Sequence, residues 1–395
     1  MSKLRELIDK YCPNGVEYKP LGDKDVSIMQ RGTSLTKKDS TEGIYPVISG
    51  GKTPAFYCDL SNRNGETITV AGSGAGAGYV QYWNEPIFVC DAFSIKGVGD
   101  VSTKYLYYCL VNMQEKIYAT KKGGGVPHVH ISSIDKFLIP IPPPPVQEEI
   151  VKILDRFAEY AAELQAELQA RQEQYEYYRN KLLTFNKIGG GIQGAIWMKM
   201  SEIGTFIRGN GLQKKDFTES GIPCIHYGQI YTHYGTFATK TKSYVSSETA
   251  KKCKKAHCGD LVFATVSENI DDVCKCVAWL GNEEICISGD SLAFSHNQNP
   301  KYIAYYFQTY AFARYKRSRV TGTKVIRLHQ SQLEQFEIPI PSLAEQARIV
   351  NILDKFERLV SDLVQGLPAE IAAVQEQYEY YRDKLLSFPE YKLSA

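Results

Sequence analysis

The chain has 395 residues, of which 43% are hydrophobic and 23% charged, an ordinary composition for a globular protein of two or more domains. It contains no apolar run long enough to span a membrane, and the charged start MSKLRELIDKY lacks the hydrophobic region of a signal peptide. Ten cysteines are too few for a disulfide scaffold of this length and fit a reducing compartment. We therefore expect a cytoplasmic protein and exclude the secreted and membrane-spanning classes.

The first part of the chain predicts a short helix over residues 2–11, followed by β-rich runs that alternate with Gly, Asn, Asp and Pro. These runs are YPVIS (45–49), ETITVAG (66–72), YVQYW (79–83), PIFVCDAFSI (86–95) and FLIPIP (137–142). The spacing of apolar residues predicts one further helix over 103–118. Residues 1–141 therefore predict a globule of mixed strands with short helices.

A proline run leads into an unusually regular helical pattern, the first predicted arm, over residues 142–188. Its apolar residues recur at alternating spacings of three and four, with one interruption at Arg171. The predicted coiled-coil seam comprises Ile150, Leu154, Phe157, Ala161, Leu164, Leu168, Tyr175, Tyr178 and Leu182. A helix from Val146 to Phe185 would be about 60 Å long.

The second half of the chain repeats the first. Near the start of each half, Arg-Gly and Lys-Lys-Asp recur at one offset of 177 residues: Arg31-Gly32 with Arg208-Gly209, and Lys37-Lys38-Asp39 with Lys214-Lys215-Asp216. We therefore predict a second globule over residues 189–341, which begins at Gly189-Gly190-Gly191, and a second arm over residues 342–395.

The ends of the globules and the starts of the arms repeat at a different offset, 199 residues. IPIP at 139–142 recurs at 338–341, and IVKILDRF at 150–157 recurs as IVNILDKF at 349–356. Asp91 and Asp290, each beside a hydrophobic strand, share this offset.

The ends of the arms are the most similar segments. QEQYEYYRNKLLTF at 172–185 and QEQYEYYRDKLLSF at 375–388 are identical at 12 of 14 positions. Because the second arm has four more residues and contains Pro368, we predict that its helix is broken or kinked there. The first arm instead carries the tetrapeptide AELQ twice, over 162–169.

Charge is distributed unevenly between globules and arms. Residues 146–185 and residues 343–388 each hold eight acidic and five basic side chains, a net charge of −3. The formal net charge of +2 therefore leaves +8 for the rest of the chain. A chance distribution is one explanation; the other is that the globules meet a polyanion and the arms do not.

The sequence predicts no catalytic residue and no metal ligand. The Gly-rich run at 72–78 follows a strand, but the strand-like YVQYW comes after it where a nucleotide-binding loop needs a helix. We therefore predict a turn that another backbone, of protein or nucleic acid, approaches closely. A zinc site is a weaker alternative for five residues whose spacing is not that of the usual zinc-binding pairs: Cys253, His257, Cys258, Cys274 and Cys276.

Basic residues cluster in both globules, notably over 251–255 and 314–327, and could neutralise phosphates and position a duplex. Side chains of a turn after a strand at 226–229 could read base edges. For each residue alone a solvated surface is the alternative, whereas the paired occurrence favours a shared role. The candidate DNA-binding residues are Arg31, Lys37, Lys38, Lys121, Lys122, His128, His130, Arg208, Lys214, Lys215, His226, Tyr227, Gln229, Lys324 and Arg327.

The repeated motifs resemble those of the specificity subunit of type I restriction–modification enzymes. The resemblance rests on IPIP with its proline run, QEEIVKILDRF, QEQYEYYRNKLLTF, their second copies and GLPAEI at 366–371. It covers the whole chain in the order globule, arm, globule, arm, and it is specific in the arms but not in the globules.

This resemblance implies an α+β fold in which two target-recognition domains are separated by two helical arms. The arms would pair as an antiparallel coiled coil, with pseudo-two-fold symmetry. Each globule would read half of a bipartite DNA site with an unread spacer. The chain itself would need no cofactor.

The resemblance also implies partners. The arms would dock two methyltransferase subunits that bring AdoMet, and restriction subunits with ATP and Mg²⁺ would join that complex. Identical outer faces would dock identical partners, so the candidate partner-binding residues are Glu173, Glu176, Arg179, Lys181, Glu376, Glu379, Arg382 and Lys384. Two other classes stay open: a self-contained DNA methyltransferase or nuclease, and a coiled-coil scaffold that binds no DNA.

Overall fold

The computed structural model describes residues 2–185, 194–361 and 366–391, so the predicted boundary Gly189-Gly190-Gly191 lies outside the described residues. The chain divides into two compact units. Unit 1 comprises Met1–Ala166 and Ala369–Ala395, and unit 2 comprises Glu167–Pro368. Each unit therefore holds one globule with the start of one arm and the end of the other, whereas the sequence predicts the arms as separate segments.

The helices of unit 1 that precede the first arm are α1 (Ser2–Tyr11), α2 (Thr103–Asn112), α3 (Gln114–Ala119) and α4 (Ile131–Ile134). Its strands are β1 (Glu17–Pro20), β2 (Ser27–Arg31), β3 (Tyr45–Ile48), β4 (Phe56–Cys58), β5 (Thr67–Ala71), β6 (Val80–Trp83), β7 (Phe88–Val89), β8 (Ala92–Gly97) and β9 (Leu138–Ile141). The arm helix α5 (Pro144–Leu182) follows.

Two predicted elements of unit 1 are interrupted. The run predicted as one strand over 86–95 forms β7 and β8, which belong to different sheets, with Cys90 and Asp91 between them. The helix predicted over 103–118 is divided between α2 and α3, because Met113 leaves helical geometry at φ −96° and ψ 12°. The other predicted strands match β3, β5, β6 and β9 within one or two residues.

The strands of unit 2 are β10 (Ile196–Lys199), β11 (Gly204–Arg208), β12 (Phe217–Thr218), β13 (Ile222–Ile225), β14 (Phe237–Ala238), β15 (Ser243–Val245), β16 (Lys255–Ala256), β17 (Leu261–Ala264), β18 (Val266–Ser267), β19 (Cys276–Trp279), β20 (Ile285–Ile287), β21 (Ser291–His296), β22 (Ile326–Arg327) and β23 (Glu337–Ile340). Its helices in the globule are α6 (Met200–Ile203), α7 (Tyr227–Thr232), α8 (Ser247–Lys252), α9 (Pro300–Tyr306), α10 (Tyr310–Arg317) and α11 (Gln330–Glu334). The second arm consists of α12 (Leu343–Ser361) and α13 (Leu367–Leu385).

The two globules share one topology. In unit 1 the main antiparallel sheet has the order β2-β8-β5-β6, and in unit 2 the order β11-β21-β17-β19 runs through the corresponding strands, with β14 added at the edge. A parallel pair, β3 with β7 and β13 with β20, belongs to the second sheet of each unit. The repetition seen in the motifs therefore extends to the divergent segments between them.

Each main sheet buries a strand on both faces and packs a helix against the core. All five residues of β5 are buried, as are all four of β17, which fits central strands made of Val, Ile, Thr, Phe and Ala. The helices begin at capping residues: Ser102 accepts a bond from the Tyr105 amide, and Asn299 accepts bonds from the amides of Lys301 and Tyr302.

The second arm is broken where the sequence predicts it. Helix α12 ends at Ser361, α13 begins at Leu367, and Pro368 occupies its second position, where a missing amide hydrogen costs little. The first arm is one helix of 39 residues. None of the helices in the described part of the chain is both long and apolar enough to cross a membrane.

Within each unit, helices of the two arms pack through equivalent aromatic contacts. In unit 1 the ring of Phe157 stacks on Tyr381 at 5.5 Å, and in unit 2 the ring of Phe356 stacks on Tyr178 at 5.5 Å. In unit 1, Tyr160 donates to Glu370 at 2.7 Å, so residues later in α5 meet residues earlier in α13. The pairing in unit 1 is therefore antiparallel. Tyr178 is a partial exception to the predicted seam, because it is 36% exposed.

A buried glutamine joins each arm to its globule. Gln147 donates to the carbonyl oxygens of Pro142 and Asp100 and accepts from the amide of Ser102. Gln346 makes the same bonds in unit 2, to the carbonyl oxygen of Pro341 and the amide of Asn299. Both side chains are at most 1% exposed. Because buried polar groups are costly unless paired, these bonds define one orientation of the arm.

A carboxylate about two turns further along the arm helix completes the junction. Asp155 accepts from Lys104 at 2.8 Å and from the hydroxyl of Tyr108 at 2.5 Å. Asp354 likewise accepts from Lys301 and the hydroxyl of Tyr305, both at 2.7 Å. The repeated ILD motif therefore holds each arm against the central helix of its own globule.

Candidate nucleic-acid interface

A short hairpin projects from each globule, and the two occur at equivalent positions. We define hairpin 1 as residues 121–130 and hairpin 2 as residues 320–329, which are related by the offset of 199. Hairpin 1 is closed by a pair of backbone bonds between Lys122 and His128, of 2.9 and 2.8 Å. The pair between Thr321 and Arg327 in hairpin 2 has the same two lengths. The two globules thus have hairpins with the same backbone hydrogen bonds but different side chains.

The turn of each hairpin requires a glycine. Gly123 has φ +108°, and Gly322 has φ +98°. A Cβ atom would lie 2.7 Å from the carbonyl oxygen of Val126 at Gly123 and 2.0 Å from that of Val325 at Gly322, closer than any real Cβ contact. The tips that these turns create, 123–126 and 322–325, are exposed.

Each hairpin is fixed to its globule through one buried residue. The amide of Val129, 1% exposed, donates to the carbonyl oxygen of Gly72, and the amide of Leu328, 0% exposed, donates to that of Thr265. The amides of Gly72 and Thr265 in turn donate to the carbonyl oxygens of Asp91 and Asp290. A carboxylate therefore lies at the base of each hairpin.

The arginine at the end of an edge strand lies beside this base. In unit 1, Arg31, Asp91, His128 and His130 line one surface cavity of about 200 Å³. In unit 2, Nη1 of Arg327 lies 3.2 Å from the carboxylate of Asp290. Nε of Arg208 donates to the carbonyl oxygen of Gly289 at 3.4 Å. The structure thus brings together residues that are distant in the sequence.

The paired lysines of each globule are exposed on a short 3₁₀ helix. Lys37 and Lys38 lie in the 3₁₀ helix Lys37–Asp39, and Lys214 and Lys215 lie in Lys214–Asp216. Exposed Lys122 and Lys324 stand on the hairpins, while Lys121 packs its ammonium over the ring of Tyr118 at 4.1 Å. These side chains are accessible to phosphates.

The structure buries two of the three residues of the turn at 226–229 that the sequence proposes for base reading. His226 is 6% exposed and Gln229 is 9% exposed. Nδ1 of His226 accepts from the amide of Gly228, while Gln229 bonds the backbone of His226 and the hydroxyl of Ser243. Burial lowers the pKa of His226, and nearby Lys214 lowers it further. These side chains cap α7, and only Tyr227 remains half-buried.

The basic run at 314–327 is also partly structural. Lys316 is 6% exposed, and its ammonium donates to the carbonyl oxygens of Asp271 and Val273. Burial lowers the pKa of Lys316. Arg317 pairs with Asp271 at 3.3 Å, and Arg319 lies over the ring of Tyr315 at 3.9 Å. Fewer charges than the sequence indicates are therefore free for a polyanion.

The Gly-rich run at 72–78 forms the close turn that the sequence predicts. A Cβ atom at Gly76 would lie 2.5 Å from the carbonyl oxygen of Gly50, and the amide of Gly74 donates to that of Pro127. The amide of Gly78 donates to Ala71. Because these amides pair within the protein, they are not available to cradle the phosphates of a nucleotide. In the described ranges, no group of His, Cys, Asp and Glu is arranged to hold a metal ion.

Two of the eight candidate partner-binding residues face inward. Arg179 is 9% exposed and lies over the ring of Tyr175 at 5.1 Å, and Nε of Arg382 donates to Asn112 at 3.1 Å. The expectation that these arginines are free is therefore wrong, because each packs on a seam tyrosine. The others are exposed: Glu173, Glu176, Lys181, Glu376, Glu379 and Lys384.

Several residues at these surfaces are related by the repeat but are not among the predicted site residues. Asp91 and Asp290 were recognised as equivalent but not assigned to the interface. His329 is exposed, and it is the equivalent of His130 at the offset of 199. On the arms, Tyr177 and Tyr380 are 58% and 60% exposed, although their place in the helical pattern already puts them outside the seam.

Comparison with known proteins agrees with this architecture. The family model described as the type I restriction modification DNA specificity domain matches residues 13–174 and 197–373, one match in each half of the chain. The specificity subunit of the type I restriction enzyme EcoR124I/EcoR124II from Escherichia coli is 30% identical over 427 residues, which cover 98% of each chain. A putative type I restriction enzyme specificity subunit from Haemophilus influenzae is 30% identical over 418 residues, which cover 98% of this chain and 100% of that one.

Solved structures agree in fold. The S subunit of a type I restriction–modification system from M. genitalium has a TM-score of 0.57 and 17% identity, with 94% of this chain and 96% of that chain covered. A chain from a structural study of complex assembly and conformational transition in the type I R-M system has a TM-score of 0.62 and 16% identity, with 95% and 98% covered. The α+β fold with two target-recognition domains is thus shared, and the chain belongs to the family of type I restriction enzyme specificity subunits.

Proposed function

We propose that each unit of this specificity subunit reads one half of a bipartite site in duplex DNA through its hairpin and the charges beside it. The observation that carries this proposal is the occurrence of the same exposed hairpin, with an arginine-bearing strand end and a carboxylate at its base, in both globules. A solvated loop has no need for a glycine-dependent turn at two equivalent positions. Exposed lysines nearby supply the sequence-independent attraction to phosphates.

The two half-sites differ in sequence. Hairpin 1 carries Lys122 and His128 where hairpin 2 carries Thr321 and Arg327. Because base edges are distinguished by the donors and acceptors that reach them, equivalent positions with different side chains read different bases.

The arms dock two copies of one methyltransferase subunit, and restriction subunits join that complex. Support comes from the outer face of the repeated motif. Lys181 lies near the ring of exposed Tyr177 at 5.4 Å, and Lys384 lies near the ring of exposed Tyr380 at 5.7 Å. Exposed tyrosines beside charged residues are typical of protein interfaces.

This chain is the non-catalytic member of that assembly and acts in the cytoplasm. The partner subunits bring AdoMet for methylation of adenine, and ATP with Mg²⁺ for restriction. The chain contributes the position of the DNA relative to those subunits. This division of labour agrees with a Gly-rich loop whose amides are already paired.

The proposal is tested with the purified complex of this chain and its methyltransferase on a duplex that carries its methylated site. Replacement of His128 by Ala should weaken binding only when the half-site of unit 1 is intact. A scrambled version of that half-site should bind the variant and the parent equally. The matched control, Lys152→Gln on an exposed face of the arm, should leave both half-site preferences unchanged. Equal loss at all sequences, or none, would contradict the assignment of hairpin 1 to a half-site.

A further inference from the structure

The backbone of Arg327 in hairpin 2 is paired with two different segments. Its amide and carbonyl group both bond Thr321, and strand β22 also pairs it with Val266 on β18. The backbone of Arg327 is therefore fixed from both sides. Its side chain is 34% exposed, so one part of the guanidinium faces the protein and another faces solvent.

The inward part of the guanidinium meets the carboxylate of Asp290, a residue whose backbone is held by Thr265. Nη1 of Arg327 lies 3.2 Å from Oδ1 of Asp290. The carbonyl oxygen of Asp290 accepts from both the amide and the hydroxyl of Thr265 at 2.9 Å. Because guanidinium is planar, this contact at Nη1 restricts the directions in which its other donors point.

Stability alone does not account for this arrangement. An ion pair in which both side chains are about one-third exposed contributes little to folding, because water screens the charges. The pair instead leaves the remaining donors of Arg327 directed from a rigid hairpin toward solvent. Two parallel N–H donors match the O6 and N7 acceptors of guanine in the major groove.

We propose that Arg327, oriented by Asp290, recognises a guanine in the half-site that unit 2 reads. This inference rests on the proposed DNA-reading function of the globules. Asp290 acts as a positioning residue that contacts no base, and Arg327 is the residue that determines specificity. A lysine in place of Arg327 keeps the charge and has donors of its own, but it loses the planar fork that Asp290 orients, so its recognition of guanine is weaker.

The equivalent position of unit 1 has a different chemistry. His128 replaces the arginine, its ring stacks with His130 at 6.0 Å, and the carboxylate of Asp91 accepts from the hydroxyl of Ser73. The arginine–carboxylate pair is thus specific to unit 2 among these hairpins. The guanine contact belongs to one half-site only.

The test uses the complex of this chain with its methyltransferase and duplexes that carry the site methylated by the parent complex. Each guanine of the site is replaced in turn by 7-deazaguanine, which lacks the N7 acceptor. The parent should show one position in one half-site at which this change weakens binding about tenfold to 100-fold. In Arg327→Lys the effect at that position should fall below about threefold, with the other positions unchanged, and Asp290→Asn should reduce it in the same direction.

Lys324→Gln is the matched control, because Lys324 is exposed on the same hairpin and fits a phosphate contact. It should weaken binding to all duplexes equally and keep the sensitivity to 7-deazaguanine. Thermal unfolding of each variant complex identifies any loss of fold.

Three results would overturn the inference: a parent with no sensitive guanine in either half-site, an Arg327→Lys variant that keeps the sensitivity, or equal weakening of that variant on every duplex. A parent complex that prefers no DNA sequence would refute the proposed function itself.

Discussion

The replacement of Gln346 by Leu tests whether the buried amide holds the second arm to its globule. Gln346 is 0% exposed, and its side chain donates to the carbonyl oxygen of Pro341 at 2.9 Å and accepts from the amide of Asn299 at 2.9 Å. It also donates to the side chain of Gln298 at 2.8 Å. Leu has a similar volume, so it would leave these groups without a partner rather than leave a cavity.

The expected loss of unfolding free energy is about 3 kcal/mol. Each backbone group left unpaired in the interior costs about 1–3 kcal/mol, and the apolar side chain regains about 1–2 kcal/mol by burial. The third partner, Gln298, is half-buried and reaches water, so it adds little. For a unit of this size the loss corresponds to a melting temperature lower by about 6–12 °C.

Chemical denaturation of the full chain, with hydrogen exchange to locate the opening, measures this effect. Faster exchange should appear first in α9, because Asn299 caps that helix, and in α12. The control is Gln169→Leu, an exposed residue of unit 2 whose amide bonds Glu173 on its own helix. A loss below about 1 kcal/mol, or one equal to the control, would refute the reasoning that unpaired buried groups dominate.

Three further predictions concern the arm, the hairpin and pH. Deletion of Ala166–Gln169 shortens the first arm by about 6 Å. Because base pairs stack about 3.4 Å apart, the unread spacer should become one or two base pairs shorter, which methylation mapping would detect. An unchanged spacer would contradict a measuring role of the arm. Gly123→Ala should open hairpin 1 and weaken binding to one half-site, whereas Gly124→Ala, with open space at its Cβ and ordinary φ, should not; equal binding by both variants contradicts the strained turn. Burial lowers the pKa of His296 from 6.5 to about 4. The contribution of neutral His296 to the free energy of unfolding should therefore be full above pH 6.5 and fall by up to about 3 kcal/mol toward pH 4, a pH dependence that His296→Gln should lack. Denaturation curves that change with pH in the same way for parent and variant would exclude this titration.

The repeat made the architecture predictable. Motifs at constant offsets place the globules and arms without knowledge of any contact, and helical spacing identifies seam residues such as Leu154 and Leu164, which are buried. The break in the second arm follows from Pro368 because proline cannot continue a helix.

Side-chain availability could not be predicted in the same way. Arg179 and Lys316 read as surface cations because nothing local reveals the ring of Tyr175 or the carbonyl oxygens that enclose Lys316. His226 and Gln229 satisfy the pattern of a helix cap as well as that of a base-reading turn. Burial decides whether these side chains cap the helix or face solvent, and burial is set by contacts between segments distant in the chain.

The division of each arm between the two units could not be predicted from the sequence either. Seam spacing predicts that an arm pairs with some helix but not which part of which helix. The contact of Phe157 with Tyr381, and of Phe356 with Tyr178, identifies the partners in each unit. In both copies of the arm end, one tyrosine packs inward, Tyr175 or Tyr378, while another stays exposed, Tyr177 or Tyr380.

The central claim is that the two units read two different sequences as one bipartite site. Methylome sequencing of a host that carries this chain with its partner methyltransferase, and no other such system, tests it most directly. The account predicts a single methylated motif made of two dissimilar half-sites with an unread spacer of fixed length between them. A continuous motif, two identical half-sites, or no sequence-specific methylation would contradict it.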